Sequence, residues 1–395
     1  MLELPVKAAK IKEDFKMWFG RITKHLVLCS LVLVMLSVSV FGCQQGTQKS
    51  SKTDTEKNEA VEPKEKEEKS KYASSQSPAA KEKQGKITFK VGIDPFDGAE
   101  KVRVWLPYPV TNEHQDVTDV KIDGNFADSG VYREGKFGNT ILYAEWDQPD
   151  SKPEISFSFK VRRSEIIRKD FSENEDVSVP PEVEEFLTAS SRGSTDGTCK
   201  KTAEKITDGK KSSTAKAEAV YDYIVENFAR DDAIVGCGLG NVKDLLDSKK
   251  GKCTDIHSVF VAMARSVGVP AREVFGIRMP SKDETDMTKS YHCRSEFYVL
   301  GYGWVPVDAS DVLKLMLKEN LKLEDEKVKE ARNYFFGSQN ETYVDFGIGR
   351  DLVLNPEQQG DKLNYFMYPY AEVDGKPIDF LSQEQLKYTV TFEKL

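Results

Sequence analysis

GKCTDIHSVFVAMARSVGVP, residues 251–270, reads as one helix with its start and stop written into it. Ile256, Val259, Phe260, Met263 and Val267 recur at spacings of three, one, three and four, so they share one face. Gly268 ends the pattern and Pro270 stands just beyond it. At the other end Cys253 meets the positive pole of the helix dipole, which favours thiolate over thiol. Thr254 or Asp255 is placed to cap the first turn.

A nucleophilic thiol needs a base, and the base needs a group to hold it. The chain has four histidines. His25 falls in an apolar leader and His114 in a β-rich region, which leaves His257 and His292. Strands are predicted at about 271–279, 294–300 and 303–308, with Gly301-Tyr302-Gly303 as the turn between the last two. His292 opens one of these strands and Asp308 closes the next, and antiparallel neighbours can bring the two side chains together. His257 lies one turn after Cys253. It is either a second polar contact near the thiol or a satisfied helix-start histidine.

Working outward, helical patterning starts near Pro181, and a second helix spans about 213–229 with Ala217, Val220, Ile224 and Phe228 on one side. A charged helix follows at about 311–333; its stretch 314–332 reads as a solvated face. Short β-like runs at 351–354 and 388–392 form a C-terminal β extension. The aromatic run Tyr365-Phe366-Met367-Tyr368-Pro369-Tyr370 fits a strand against the core or a binding surface. Upstream, ITFKV at 87–91, VRVWL at 102–106, ILYA at 141–144 and ISFSFKV at 155–161 alternate with period two between turn clusters. They predict an antiparallel β-sandwich over 87–166, followed by an α+β domain over 175–395.

The runs GKCTDIHSVFVAMARSVGVPAREVFG and YHCRSEFYVLGYGWVPVDAS resemble the transglutaminase-like superfamily over roughly residues 180–310. The resemblance implies a papain-like core preceded by the β domain, with Cys253 as nucleophile, His292 as general base and then acid, and Asp308 as orienter. It implies acyl transfer at peptide or isopeptide amides, hydrolysis ahead of cross-linking, with no cofactor. A non-catalytic peptide-binding envelope protein that keeps the fold is the alternative. Many members carry an aromatic two residues after the histidine. Here that residue is Arg294, a candidate for the substrate cleft. Gly238, in the glycine-rich loop 236–240, is another. That loop lacks the Lys-Ser/Thr of a phosphate-binding loop.

Cys253, His257, His292 and Cys293 supply enough ligands for zinc in number, but consecutive strand residues point to opposite faces, so no metal is expected. Cys237 with Cys293 is the first candidate for a disulfide in an exported chain, which leaves Cys199 over.

The chain of 395 residues carries one long apolar run, 26–42, behind Arg21, Lys24 and His25. Val40-Phe41-Gly42-Cys43 resembles a bacterial lipobox, with Cys43 as the lipidation residue. The alternative is an uncleaved anchor helix, and translation can start at Met1 or Met17. Either way the remainder lies outside the cytoplasm, tethered in the cell envelope. Residues 44–86 hold 18 charged side chains and few apolar ones, the composition of a disordered tether. Residues 87–395 contain 41 basic and 54 acidic residues, a net charge of −13. That disfavours nucleic acid and other acidic polymers as partners; a peptide or protein substrate is what the resemblance implies.

Overall fold

The computed structural model describes residues 80–395 except 95–96, 170, 172–175 and 281–284. The expected leader, Cys43 and the tether up to residue 79 lie outside the described residues. Among the described residues no helix is long and apolar enough to cross a membrane.

The first strands are β1 (Glu82–Ile93), β2 (Lys101–Pro107), β3 (Gln115–Gly124), β4 (Asp128–Arg133), β5 (Thr140–Asp147) and β6 (Glu154–Ser164). β1 starts earlier than the residue-86 end of the tether, because Lys83 to Lys86 already pair with Arg163 to Lys160. After a 3₁₀ turn (Pro181–Leu187) come α1 (Gly197–Ile206), α2 (Ser213–Asn227), α3 (Val242–Ser248) and α4 (Cys253–Ser266). Next are β7 (Ala271–Arg278), β8 (Tyr291–Val299), β9 (Gly303–Val307), α5 (Ala309–Glu319) and α6 (Glu326–Phe335). The chain ends with β10 (Tyr343–Ile348), β11 (Tyr370–Val373) and β12 (Leu386–Lys394).

Two antiparallel sheets, ordered β12-β1-β6-β3 and β11-β2-β5-β4, enclose a common core. Ile87, Phe89 and Val91 of β1 face Val102, Val104 and Leu106 of β2 across it. The C-terminal strands, expected as an extension of the catalytic half, pair with this sandwich. β12 runs antiparallel to β1 from Gly85↔Lys394 to Ile93↔Leu386, and β11 pairs with β2. The reason is legible in β12 itself. Leu386, Tyr388, Val390 and Phe392 are buried while the residues between them are exposed, which matches a half-buried outer strand. The α+β core is therefore an excursion from a sandwich that the end of the chain closes.

In that core the sheet order is β9-β8-β7-β10, and α4 lies on it. Ile256, Val259, Phe260 and Met263 pack with Phe297, Val299 and Val305. Phe275, Ile277, Val344 and Phe346 join the sandwich core instead. Buried polar groups seal the junction. Arg163 of β6 donates to the carbonyl of Tyr343 in β10 at 2.6 Å, and the Gln115 amide donates to Asp345 O and accepts from Asp345 N–H at 3.1 and 2.8 Å.

Three expectations change. The charged helix 311–333 is two helices, α5 and α6, because Asn320 takes a left-handed conformation (φ 53°, ψ 44°) that ends the first. The run 365–369 is irregular rather than strand, though buried: Tyr365 and Tyr368 enter the main core, and Phe366 packs with Trp105 and Tyr143. Leu352 makes only an isolated bridge to Leu363. Leu386 is fully buried. Leu386→Ala is expected to cost about 2–4 kcal/mol in urea unfolding. A change below about 0.5 kcal/mol, the surface-substitution range, would show that β12 lies outside the cooperative core.

Candidate active site

The start of α4 is held by its own sequence. The Asp255 carboxylate accepts the Lys252 N–H at 3.0 Å and the Gly240 N–H at 2.8 Å, so it ties the helix to the glycine loop. Asp255, rather than Thr254, caps the turn; the Thr254 hydroxyl lies 3.4 Å from Cys293 Sγ. Gly238 sits behind this cap with φ +92°, and a Cβ there would fall 2.0 Å from the Asp255 carboxylate. Its glycine is required by that approach, and it does not line the cleft.

Cys253 is the first residue of α4, with a nearly buried thiol. Hydrogen bonds from the Cys237 and Cys293 thiols and from His292, with the His292 charge, outweigh burial and hold it well below the ordinary thiol range. Cys237 and Cys293 move the opposite way. The Cys253 contact and burial push Cys237 up, and burial pushes Cys293 up. The expected Cys237–Cys293 disulfide is not formed; Cys199, Cys237, Cys253 and Cys293 are free thiols, and Cys237 and Cys293 flank Cys253 instead. Tyr368 donates its hydroxyl to Cys237 Sγ at 3.2 Å.

His292 Nε2 lies 2.7 Å from Asp308 Oδ2, which leaves Nδ1 as the nitrogen toward the thiol. Asp308 is one residue past β9 and caps α5, accepting the Asp311 N–H at 2.9 Å. It is fully buried, yet the His292 charge and the His257 contact overcome desolvation and keep its carboxyl well below the usual range. Burial and Arg278 pull His292 down, but Asp308 and Asp311 more than offset them and its pKa rises.

His257 is the residue whose role the sequence left open. Its ring is fully buried, with Nδ1 3.5 Å from Cys293 Sγ and Nε2 3.2 Å from Asp308 Oδ1, off the line of a good hydrogen bond. Two histidines thus flank one carboxylate. Arg278 joins them, 2.8 Å from Asp311 and 3.7 Å from Asp308. Ligand atoms of His292, Asp308 and Asp311 come within 4.8 Å of one another, and the Arg278 guanidinium already pairs with both carboxylates there.

Arg294 does not reach the cleft. It is buried, paired with Glu296 at 2.6 Å and Asp345 at 2.7 Å, and stacked 4.8 Å over the Tyr343 ring. Tyr343 in turn packs edge-on against His292 at 5.7 Å, an aromatic neighbour supplied from another strand. The cleft of about 820 Å³ that reaches Cys253 and His292 is walled by Cys237, Tyr291 and Tyr368 and by Tyr388 of β12.

The core profile described as Transglutaminase-like superfamily matches residues 200–309, a span that holds Cys253, His292 and Asp308. An uncharacterized protein of Haemophilus influenzae is 33% identical over 328 residues, covering 77% of this chain and 89% of that one. The chain belongs to the transglutaminase-like superfamily. Solved structures similar to it include a candidate cysteine protease from Cytophaga hutchinsonii, 14% identical with a TM-score of 0.49, covering 80% of this chain and 99% of that one. Another is the periplasmic domain of TgpA from Pseudomonas aeruginosa, 11% identical with a TM-score of 0.33, covering 62% and 92%. Membership in this superfamily supports a cysteine enzyme.

Sequence reasoning did not find Arg278 or Asp311, neither of which lies in a motif; it gives Tyr368 only as part of an aromatic run that is either strand or binding surface, and Tyr368 lines the cleft. The geometry yields a pH prediction. Iodoacetamide should alkylate Cys253 with a midpoint well below the ordinary thiol value of about 8.5. In Asp308→Asn the carboxylate that raises the His292 pKa is lost, His292 carries less charge beside the thiol, and the midpoint should move up. An unmoved midpoint would separate Asp308 from the charge state of the thiol.

Proposed function

We propose that the protein is a cysteine acyl transferase acting on peptide or isopeptide amides, with hydrolysis as its main outcome. The observation that carries this reading is the buried His292–Asp308 pair at 2.7 Å beside a thiol held low at a helix start. The Cys253 thiolate attacks the amide carbonyl, and the C=O electron pair moves onto oxygen. The Cys253 backbone N–H, at the first turn of α4 with no hydrogen-bond partner among the described residues, is available to that oxyanion. On collapse, His292 gives its proton to the leaving nitrogen and a thioester remains. His292 then takes a proton from water, the new C–O bond forms, and the thiolate is released. Asp308 keeps Nδ1 turned toward sulfur and stabilises the imidazolium.

The leader and the Val40–Cys43 motif support a lipid-anchored, extracytoplasmic setting, where peptide substrates of the cell envelope are at hand. Ammonia release from glutamine peptides, with and without methylamine, tests the activity. Hydrolysis predicts release without methylamine incorporation, loss of release in Cys253→Ala, and a kcat lowered about 10²–10⁴-fold in Asp308→Asn. Methylamine incorporated into the peptide would mean amine transfer instead. No release from any amide donor would favour a binding module.

A further inference from the structure

The cleft at Cys253 has an unusual wall. Its charged lining residues, among those described, are cations with the exception of the catalytic-site thiol and imidazole: Arg230, Lys252, Arg278, Lys289, Lys314 and Lys318. No Asp or Glu lines it among the described residues, although residues 87–395 carry a net charge of −13. Arg230 and Arg278 have carboxylate partners, Asp232 at 2.7 Å and Asp311 at 2.8 Å. Lys252, Lys289, Lys314 and Lys318 have no ion-pair partner within 4 Å among the described residues, Asp232 and Asp286 acting on three of them only from further off.

Lys314 and Lys318 stand one turn apart on α5, an arrangement in which like charges repel and cost stability. Burial, followed by Arg278, Lys318 and Arg230, pulls the Lys314 pKa down against Asp311. A wall that concentrates positive charge in a concave, low-dielectric setting, on a molecule that is negative overall, focuses anions toward the thiol. We propose that the substrate is an acidic peptide, with carboxylates flanking the amide that Cys253 attacks and engaging Lys289, Lys314 and Lys318. This deepens the acyl-transfer reading and rests on it.

The test uses the full chain in non-ionic detergent at low ionic strength. A fluorescein-labelled Glu-flanked glutamine peptide is titrated against Cys253→Ala, beside the same peptide with its Glu residues changed to Gln. Binding of the acidic peptide should be at least tenfold tighter, about 1.4 kcal/mol. That preference should shrink in added salt and in the Lys289→Gln/Lys314→Gln/Lys318→Gln variant. In parallel, Cys253 with its native thiol is alkylated by anionic iodoacetate and by neutral iodoacetamide, and the triple variant should lower the rate ratio of the two about tenfold. Equal binding of both peptides, or a ratio that the triple variant leaves unmoved, overturns the charge inference. If Cys253 resists both reagents, the nucleophile reading fails instead, and the peptide titration still decides the specificity of the cleft.

Discussion

A carboxylate without access to water must be surrounded by donors and positive charge, and Asp308 organises the site around that demand. It gathers His292 from β8, His257 from α4, Arg278 from β7 and the Asp311 N–H from α5. Four elements are thereby brought together behind the cleft wall formed by His292 and Arg278. Removing the carboxylate would leave two buried imidazoles and a guanidinium facing one another. The imidazole orientation is thus a property of the whole core and not of the strand that carries His292.

The sandwich takes part in the same arrangement. Because β12 returns to pair with β1, Tyr388 is carried to the cleft wall, where its ring lies 6.4 Å from Tyr291, itself 4.3 Å from Tyr368. Arg163 and Gln115 satisfy backbone groups of β10 across the junction, so sliding one layer over the other would strand buried polar atoms. The β domain is therefore a structural wall of the candidate site, and the chain's last strand is part of it.

How much of this could be read from residues alone follows from what is local. α4, β7 to β9 and the inner strands of the sandwich are written in periodicity, capping and turn residues, and they appear where those signals put them. β3 was missed because a bulge between Thr118 and Lys121 breaks its period, so Val117, which packs on the core with Val120 and Ile122, falls out of their alternation. β12 was seen as a strand but given to the wrong layer, since pairing over 290 residues of sequence leaves no local trace. Cys253, His292 and Asp308 were singled out through their motif blocks, and the last two lie 2.7 Å apart. Arg294 was misjudged because its buried partner Asp345 comes from a distant strand, and the His257–Asp308 contact depends on a helix-to-strand packing that spacing does not encode.

The three thiols give the last step. Cys237, Cys253 and Cys293 are close enough that a negative charge on one makes a second costly, so they titrate as a group. The charge settles where it is best solvated by the protein. Cys253 has the helix start and the charge of His292, whereas burial and the Cys253 contact push Cys237 and Cys293 up despite their contacts with Tyr368 and Thr254. The neighbours therefore hold the Cys253 thiol low and are not rival nucleophiles. They stabilise sulfur as an anion, and that stabilisation is lost once sulfur forms a thioester. The same contacts that ready Cys253 for attack thus lower the energy of the state to which it must return, which favours release of the acyl group.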